Sequence, residues 1–430
     1  MAMVVKNNMS AISTLNTLNK NSSALSKSLQ KVSSGMKING AADDASGYAI
    51  SERMRVQIRG LDQSNQNTQN GSSMMKVAEG AVSSTVDILK TLKEKVINAA
   101  NDTNTDADRQ TIQKELDQSI DQINDNANVT YNGKYLVDGS HNSKVKATTT
   151  AMTNQSLNTD TKFASTFKQL TDRNGNSLNI QSSDTITLSY VKEGKTQTYT
   201  ALGSEKMETL IAKATADLAK GKESSYIGRD VAGDSVFTAD AKNALTITAA
   251  TSGIEGQISG ITFSVTDTKG NVKKSANALL DNFSESIRAQ NESLDNSINL
   301  QVGTKSNQAI KVGLTDMRAE ALGLQAQDGK TLNISTKEYA NAAINVLDNA
   351  VQKALDQQTT IGAVQSRLEY TSSNLTTASE NVQASESTIR DADMAKEMTN
   401  YTKNNVLMQA AQAMLSQANQ SSSSVLSLLQ

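Results

Sequence analysis

The chain has 430 residues, 37% hydrophobic and only 3% aromatic, with a formal net charge of -2 and no cysteine, proline or tryptophan. Without cysteine there is no disulfide, thiolate metal site or cysteine nucleophile, and the near-neutral charge gives no electrostatic footprint for nucleic acid. No run approaches 18 apolar residues, so no membrane insertion is expected, and "MAMVVKNNMS" lacks the apolar core of a secretory signal, so export would need another route.

So few aromatics suit long helices packed along seams better than one large globular core. The first seam is Leu18, Ser22, Leu25, Leu29, Val32 and Met36. Val5, Met9 and Ile12 precede it in a shifted phase, and Leu15 lies between. Residues 33–55, "SSGMKINGAADDASGYAISERMR", then interrupt helical spacing without proline. Gly35 and Gly40 are expected to stop the first helix, because glycine accepts the backbone angles that end propagation. Asp43 or Asp44 is expected to cap the next helix near Ala45 with a carboxylate at its positive end, making the segment a hinge between coaxial helical units.

A heptad seam follows without a slip: Leu61, Ser64, Thr68, Gly71, Met75, Ala78, Val82, Thr85, Leu89, Leu92, Val96 and Ala99. A third helix carries Ile112, Leu116, Ile120, Ile123 and Ala127, with N-cap candidates in "NDTNTDADRQ". Asn132-Gly133 between β-prone runs signals a tight hairpin. From about residue 140 to 295 the chain turns rich in Thr, Ser, Asn and Gly. "DTITLSYV", "TQTYTAL", "ALTITAA" and "GITFSVTD" read as strands, and "EKMETLIAKATADLAK" as one amphipathic helix between them. "SINLQVGTKSNQAIKVGL" reads as a returning strand pair.

The second long seam runs Ile344, Leu347, Val351, Ala354, Gln358, Ile361, Val364, Leu368, Thr371, Leu375, Ala378, Val382, Ser385, Ile389 and Ala392. Met394, Met398 and Tyr401 then shift phase before a last seam of Met408, Ala411, Leu415, Ala418, Ser422, Val425 and Leu429. The expected fold is mainly α: a long antiparallel coiled-coil or helical-bundle rod made from both chain ends, with an α+β insert in the middle. Termini usually fray, yet these are regularly apolar, and a two-helix terminal unit would leave Leu, Met and Ala facing water, the mark of an assembly surface.

Chemistry is mostly excluded. His141 is the only histidine, so a His-Glu-x-x-His peptidase site or any two-histidine metal site is impossible. "DTNTDADRQTIQ" starts like a calcium loop, but its sixth position is Ala107 and its twelfth Gln113, which removes the turn glycine and the bidentate carboxylate. No cofactor or metal is expected, and no catalytic residue. An enzyme working through carboxylates of the insert is the least favoured reading, tested by hydrolytic screens against polysaccharides.

"KINGAADDASGYAISERM" and "RGLDQSNQNTQNG" resemble the N-terminal signature of bacterial flagellins. "DADRQTIQKELDQSIDQI" and "TYNGKYLVDGS" are similar to its continuation. "LTDMRAEALGL", "QSRLEYTSSNL", "STIRDADMAKEMTNYTKNNVLMQAAQAMLSQAN" and "SVLSLLQ" match the second half in order. The resemblance implies a filament subunit for motility, exported unfolded through a narrow channel and assembled at the distal tip into an extracellular flagellum. Its implied partners are copies of itself in an open helical homopolymer, the export apparatus and an export chaperone, the filament cap and hook-associated proteins. A hook-associated junction protein or a secreted coiled-coil adhesin is the alternative, separated by electron microscopy for long filaments.

The implied layout is 1–38 and 393–430 as an inner-core helical domain, 39–140 and 296–392 as a rod domain, and 141–295 as a surface-exposed insert. Polymerisation seams are then expected at Ile12, Leu15, Leu18, Leu25, Leu29 and Val32, and at Met398, Tyr401, Met408, Leu415, Val425 and Leu429. "LKTLKEKV", Leu89 to Val96, aligns with the family's Leu-Gln-Arg-Val-Arg-Glu-Leu-Ala segment, which a Toll-like innate immune receptor recognises. Across Lys90, Thr91, Leu92, Lys93, Glu94 and Lys95, Glu94 matches and Lys93 keeps the charge. Thr91 replaces an arginine fork and Lys95 an apolar contact, which predicts weak activation. Lys90, Lys93 and Lys95 read alternatively as a solvated face. "ANQSSSSVLSLLQ" has serines where Gln-Pro is common in the family, so helix is expected to run further before Val425. The absence of proline and cysteine suits a chain threaded unfolded and refolded fast.

Overall fold

The structure is a computed structural model describing residues 8–428, with side chains as far as Ser421. The helices are α1 (Met9–Ser34), α2 (Ala45–Ala99), α3 (Asp106–Ala127), α4 (Met207–Lys213), α5 (Lys274–Leu280), α6 (Ala319–Leu322), α7 (Lys337–Arg390) and α8 (Met394–Leu428). The strands are β1 (Thr130–Tyr131), β2 (Lys134–Tyr135), β3 (Ala151–Asn154), β4 (Thr185–Lys192), β5 (Lys195–Leu202), β6 (Leu218–Ser224), β7 (Tyr226–Arg229), β8 (Ser235–Phe237), β9 (Ala244–Ala249), β10 (Ile258–Thr266), β11 (Phe283–Ile287), β12 (Ile298–Gln301) and β13 (Ala309–Val312). The chain forms two compact units. One holds residues up to Asn67, Val302–Gln308 and residues from Tyr370 onward; the other holds Thr68–Gln301 and Ala309–Glu369.

In the larger unit the α2 seam from Thr68 to Ala99 is buried at every position. Facing it on α7, Leu347, Ala354, Ile361 and Leu368 are buried at seven-residue intervals, while the alternate positions Ile344, Val351, Gln358 and Val364 are half-buried. This is the heptad signature of one narrow stripe meeting another. The two helices run antiparallel: Lys93 pairs with Asp348, and Gln365 Nε2 donates to Glu79 at 2.7 Å. At Gly71 of α2 it is β12 that comes close, since an added Cβ would lie 2.8 Å from Leu300 Cδ1. Leu116, Ile120 and Ile123 of α3 are also buried. Its N-terminus is a capping box, in which Thr105 Oγ1 accepts from Asp108 N and the Asp108 carboxylate accepts from Thr105 N.

Asn132 and Gly133, at φ of 50° and 75°, make the two-residue turn between β1 and β2. The insert has a three-stranded antiparallel sheet in the order β10-β4-β5 and a four-stranded antiparallel sheet in the order β11-β3-β9-β6. Phe167, Leu188, Tyr190, Phe263, Leu210 and Leu280 lie in its core. Helix α7 fastens the insert through Asn345 Nδ2 to Ile261 O and Asn349 Nδ2 to Ser259 O.

One sequence expectation is corrected. "EKMETLIAKATADLAK" is not one helix: α4 ends at Lys213, Leu218 N bonds back to Ala214 O, and the remainder enters β6 against Ala249, Thr248 and Ile247 of β9. Helical spacing at Ala214–Lys220 loses to pairing with a neighbouring strand.

Candidate functional site: the paired terminal helices

All of α1 and α8 belongs to one unit, where they pack antiparallel. Asn side chains fix the register: Asn8 Nδ2 donates to Ala418 O, Asn21 Nδ2 to Leu407 O, and Asn404 Nδ2 to Ser28 Oγ, at 3.2, 3.2 and 3.1 Å. Each bond reaches from one helix to the other, so the seam between them is laid out by amides and hydroxyls as much as by apolar groups. Among the described residues of both helices, only Ser28 and Ala411 are fully buried.

The large apolar side chains are divided between the seam and the solvent. Leu18, Leu25 and Val32 of α1, and Tyr401, Met408 and Leu415 of α8, are half-buried along the seam. Ile12, Leu15 and Leu29 are exposed, Leu29 at 52%, and so is Met398. Met9 at 69%, Val406, Leu407 and Met414 at 63% extend this apolar surface. Val425 lies in α8 beyond the described side chains, and Leu429 lies outside the described residues. The pair therefore shelters only part of its apolar surface: Leu18, Leu25, Val32, Tyr401, Met408 and Leu415 line the seam beside Asn21 and Ser28, while other large apolar side chains are left in water. Exposed apolar surface of this kind marks an association site.

The segment between α1 and α2 is tied down at both ends. Gly35 adopts the left-handed conformation at φ 71° and returns its N–H to Lys31 O at 2.9 Å, ending α1. Asp44 Oδ1 accepts from Ser46 N and Gly47 N, both at 3.0 Å, capping α2. Asp43 Oδ2 accepts from Asn39 N, and Gly40 O from Asp43 N. Gly40 itself has ordinary backbone angles.

Two residues here escaped sequence reasoning. Gly47 has no room for a Cβ, which would meet Asp44 Oδ2 at 2.5 Å and Ile38 Cδ1 at 2.7 Å. Arg390, at the end of α7, is buried, donates to Glu52 Oε1 at 2.6 Å and lies over the Tyr48 ring at 5.5 Å. The Arg390 hydrogen bond holds the Glu52 carboxyl below its ordinary value. Backbone bonds from Lys37 N to Arg390 O and from Ala392 N to Gly35 O complete the knot joining the end of α1 to the α7–α8 junction. Only the spatial meeting of residues more than 300 positions apart reveals it.

On α2, Leu92 is buried in the seam, whereas Lys90, Thr91 and Glu94 are exposed. Lys90 pairs with Asp87 at 3.1 Å, Lys93 with Asp348 and Lys95 with Glu115 at 2.9 Å. The lysine ammonium groups of this face are thus engaged by carboxylates of the same chain.

Comparison with known proteins agrees with this geometry. Residues 5–142 match the bacterial flagellin N-terminal helical region and residues 344–429 the bacterial flagellin C-terminal helical region. A flagellin of Clostridium tyrobutyricum is 35% identical over 97% of this chain and 99% of that protein. A flagellin of Bacillus subtilis is 30% identical over 99% of this chain and 100% of its own length. Among solved structures, the flagellar hook associated protein-3 of Legionella pneumophila is distantly similar, at 14% identity and a TM-score of 0.34, covering 78% of this chain and 97% of that one. With full-length relatives at these identities and both helical regions matched, the chain belongs to the flagellin family and is a structural subunit of the flagellar filament.

Proposed function

We propose that the chain is a non-enzymatic protein that polymerises through the outward faces of α1 and α8, each copy covering apolar surface on its neighbours. The observation that carries this reading is the apolar surface the pair leaves uncovered: Ile12, Leu15, Leu29, Met398 and Met414 are exposed although α1 and α8 are packed and bonded through Asn8, Asn21 and Ser28. A contact that joins different faces of identical subunits, with a rotation that does not close a ring, grows an open helical homopolymer. Residues 1–38 and 393–430 form the filament's inner core in this reading, 39–140 and 296–392 the surrounding layer, and 141–295 the outward-facing insert. The chain leaves the cell unfolded through the flagellar export apparatus with an export chaperone, and adds at the distal tip beneath a cap, on a base of hook-associated proteins. The segment from Gly35 to Asp44 acts as the hinge between inner and outer layers.

Charging the outward stripe tests the proposal. The double variant Ile12→Lys, Leu15→Lys is expected to keep the monomer's circular dichroism and melting temperature and to form no filaments when seeded. Seeded growth at the unaltered rate would overturn it.

The Lys90–Lys95 face is proposed as a weak ligand of a Toll-like innate immune receptor. Thr91 cannot supply a planar fork, and Lys95 is held by Glu115. The variant Thr91→Arg, Lys95→Leu is expected to raise the response of receptor-bearing cells to monomer by at least roughly tenfold, the scale of one restored arginine contact. A wild-type response already equal to that variant's would refute it.

A further inference from the structure

A cavity of about 190 Å³ opens beside α7 in the larger unit, with Asp138, Gln290, Asp316, Arg318 and Lys353 on its wall. Lys353 is unusual there, being only 6% exposed. Its ammonium donates to Ala321 O, and among the described residues no carboxylate lies within ion-pair distance of it. Burial pushes Lys353 below its ordinary value and the nearby Glu285 above, each opposed by the other's charge. Glu285 gives its close contact to Arg288 instead, at 3.4 Å. A buried ammonium is ordinarily matched by a counter-charge and a full set of acceptors, and this one has neither in contact.

The rest of the wall is mixed but negative on balance, with Asp138, Glu292 and Asp316 against Arg318. Asp316 is engaged at both oxygens by Arg318, whose N and Nε reach Oδ1 and whose Nε and Nη2 reach Oδ2, whereas Asp138 accepts from Ser140 N and Oγ at Oδ1 alone, which leaves its Oδ2 for a ligand. Gln290 Oε1 is shielded from solvent without a hydrogen-bond partner. A lone anion would meet the ammonium but face these carboxylates, and a lone cation the reverse. A molecule carrying both charges a few ångströms apart answers each wall.

We infer that this cavity binds a small zwitterion of the free amino-acid class, with its carboxylate on Lys353 and its ammonium toward Asp138 and Gln290. The volume suits a side chain no larger than a few heavy atoms, since one water's share of liquid is about 30 Å³. The site is separate from the assembly surface, and nothing in this inference depends on polymerisation.

Calorimetric titration of the full-length monomer with L-alanine tests it, with acetate and methylammonium as single-charge controls. L-alanine should bind saturably, with both controls weaker by at least roughly tenfold, one charged hydrogen bond's worth. Lys353→Met should abolish the heat. Should that variant fail to fold, Asp138→Asn and Gln290→Leu each serve in its place, with affinity for L-alanine lowered several-fold. Absence of saturable heat with L-alanine in the wild-type protein overturns the inference and leaves a water-filled cavity. Acetate binding as tightly as L-alanine, or variants binding it as well as wild type, overturns it equally.

Discussion

Asp281 sits at the end of α5, where burial pushes its carboxyl up to about 6 against hydrogen bonds from Phe263 N and Asn345 Nδ2. A carboxyl whose folded pKa exceeds its ordinary 3.8 holds its proton more tightly in the native state. Its contribution to stability therefore declines as pH climbs from about 4 to about 6, and stays unfavourable above that. Asp281→Asn keeps an acceptor for Phe263 N–H and removes the charge. It should stabilise the protein at pH 7 by roughly 1 to 3 kcal/mol and by nothing below pH 4, as read from urea melts at the two pH values. Exposed carboxylates work in the other direction. Asp295, held down to about 2 by Ser297 and Lys311, favours the native state above its ordinary range and loses that effect as pH falls toward 2. The Asp281 environment was not legible in the sequence, because it depends on groups brought close only by the fold, whereas Asp295 owes part of its to Ser297, two residues on.

At the scale of elements, helix ends were the most readable features because their chemistry is local. The α3 cap was already visible as Thr and Asp residues before an apolar run, and the two reciprocal bonds of Thr105 and Asp108 make it a full box. Thr105→Ala should cost about 1 kcal/mol in thermal or urea unfolding, with little change in the insert. The long α2 and α7 seams were legible for a related reason, since each repeats one rule over many turns. Two elements were misread where the rule was not local. Residues 214–220 have helical spacing, but β9 offers them a ladder. The first seam placed Ser22 and Leu29 with Leu18 and Leu25, whereas both are exposed. A straight helix of 3.6 residues per turn drifts away from a seven-residue repeat, and the Asn21 and Ser28 bonds to α8 select the face that turns inward. The Arg390 knot had no sequence signal at all, because an arginine near a helix end is usually solvated.

At the scale of the molecule, the terminal helices α1 and α8 lie in one unit and the insert in the other. The larger unit holds the buried Met75, Leu89, Leu116 and Leu347 of α2, α3 and α7 and the insert's own core around Phe263, and none of these residues belongs to α8. Removing residues 405–430 should leave that unit's cooperative melt in place while eliminating filaments, checked by calorimetry and electron microscopy of one preparation. Persistent filaments would put the growing contact elsewhere.

The apolar surface that α1 and α8 leave exposed carries a thermal consequence. Where the principal gain of joining a polymer is the release of water from Ile12, Leu15, Leu29 and Met414, that gain shrinks on cooling. Growth should then show a threshold subunit concentration that climbs as the solution is chilled, and a negative heat-capacity change on elongation.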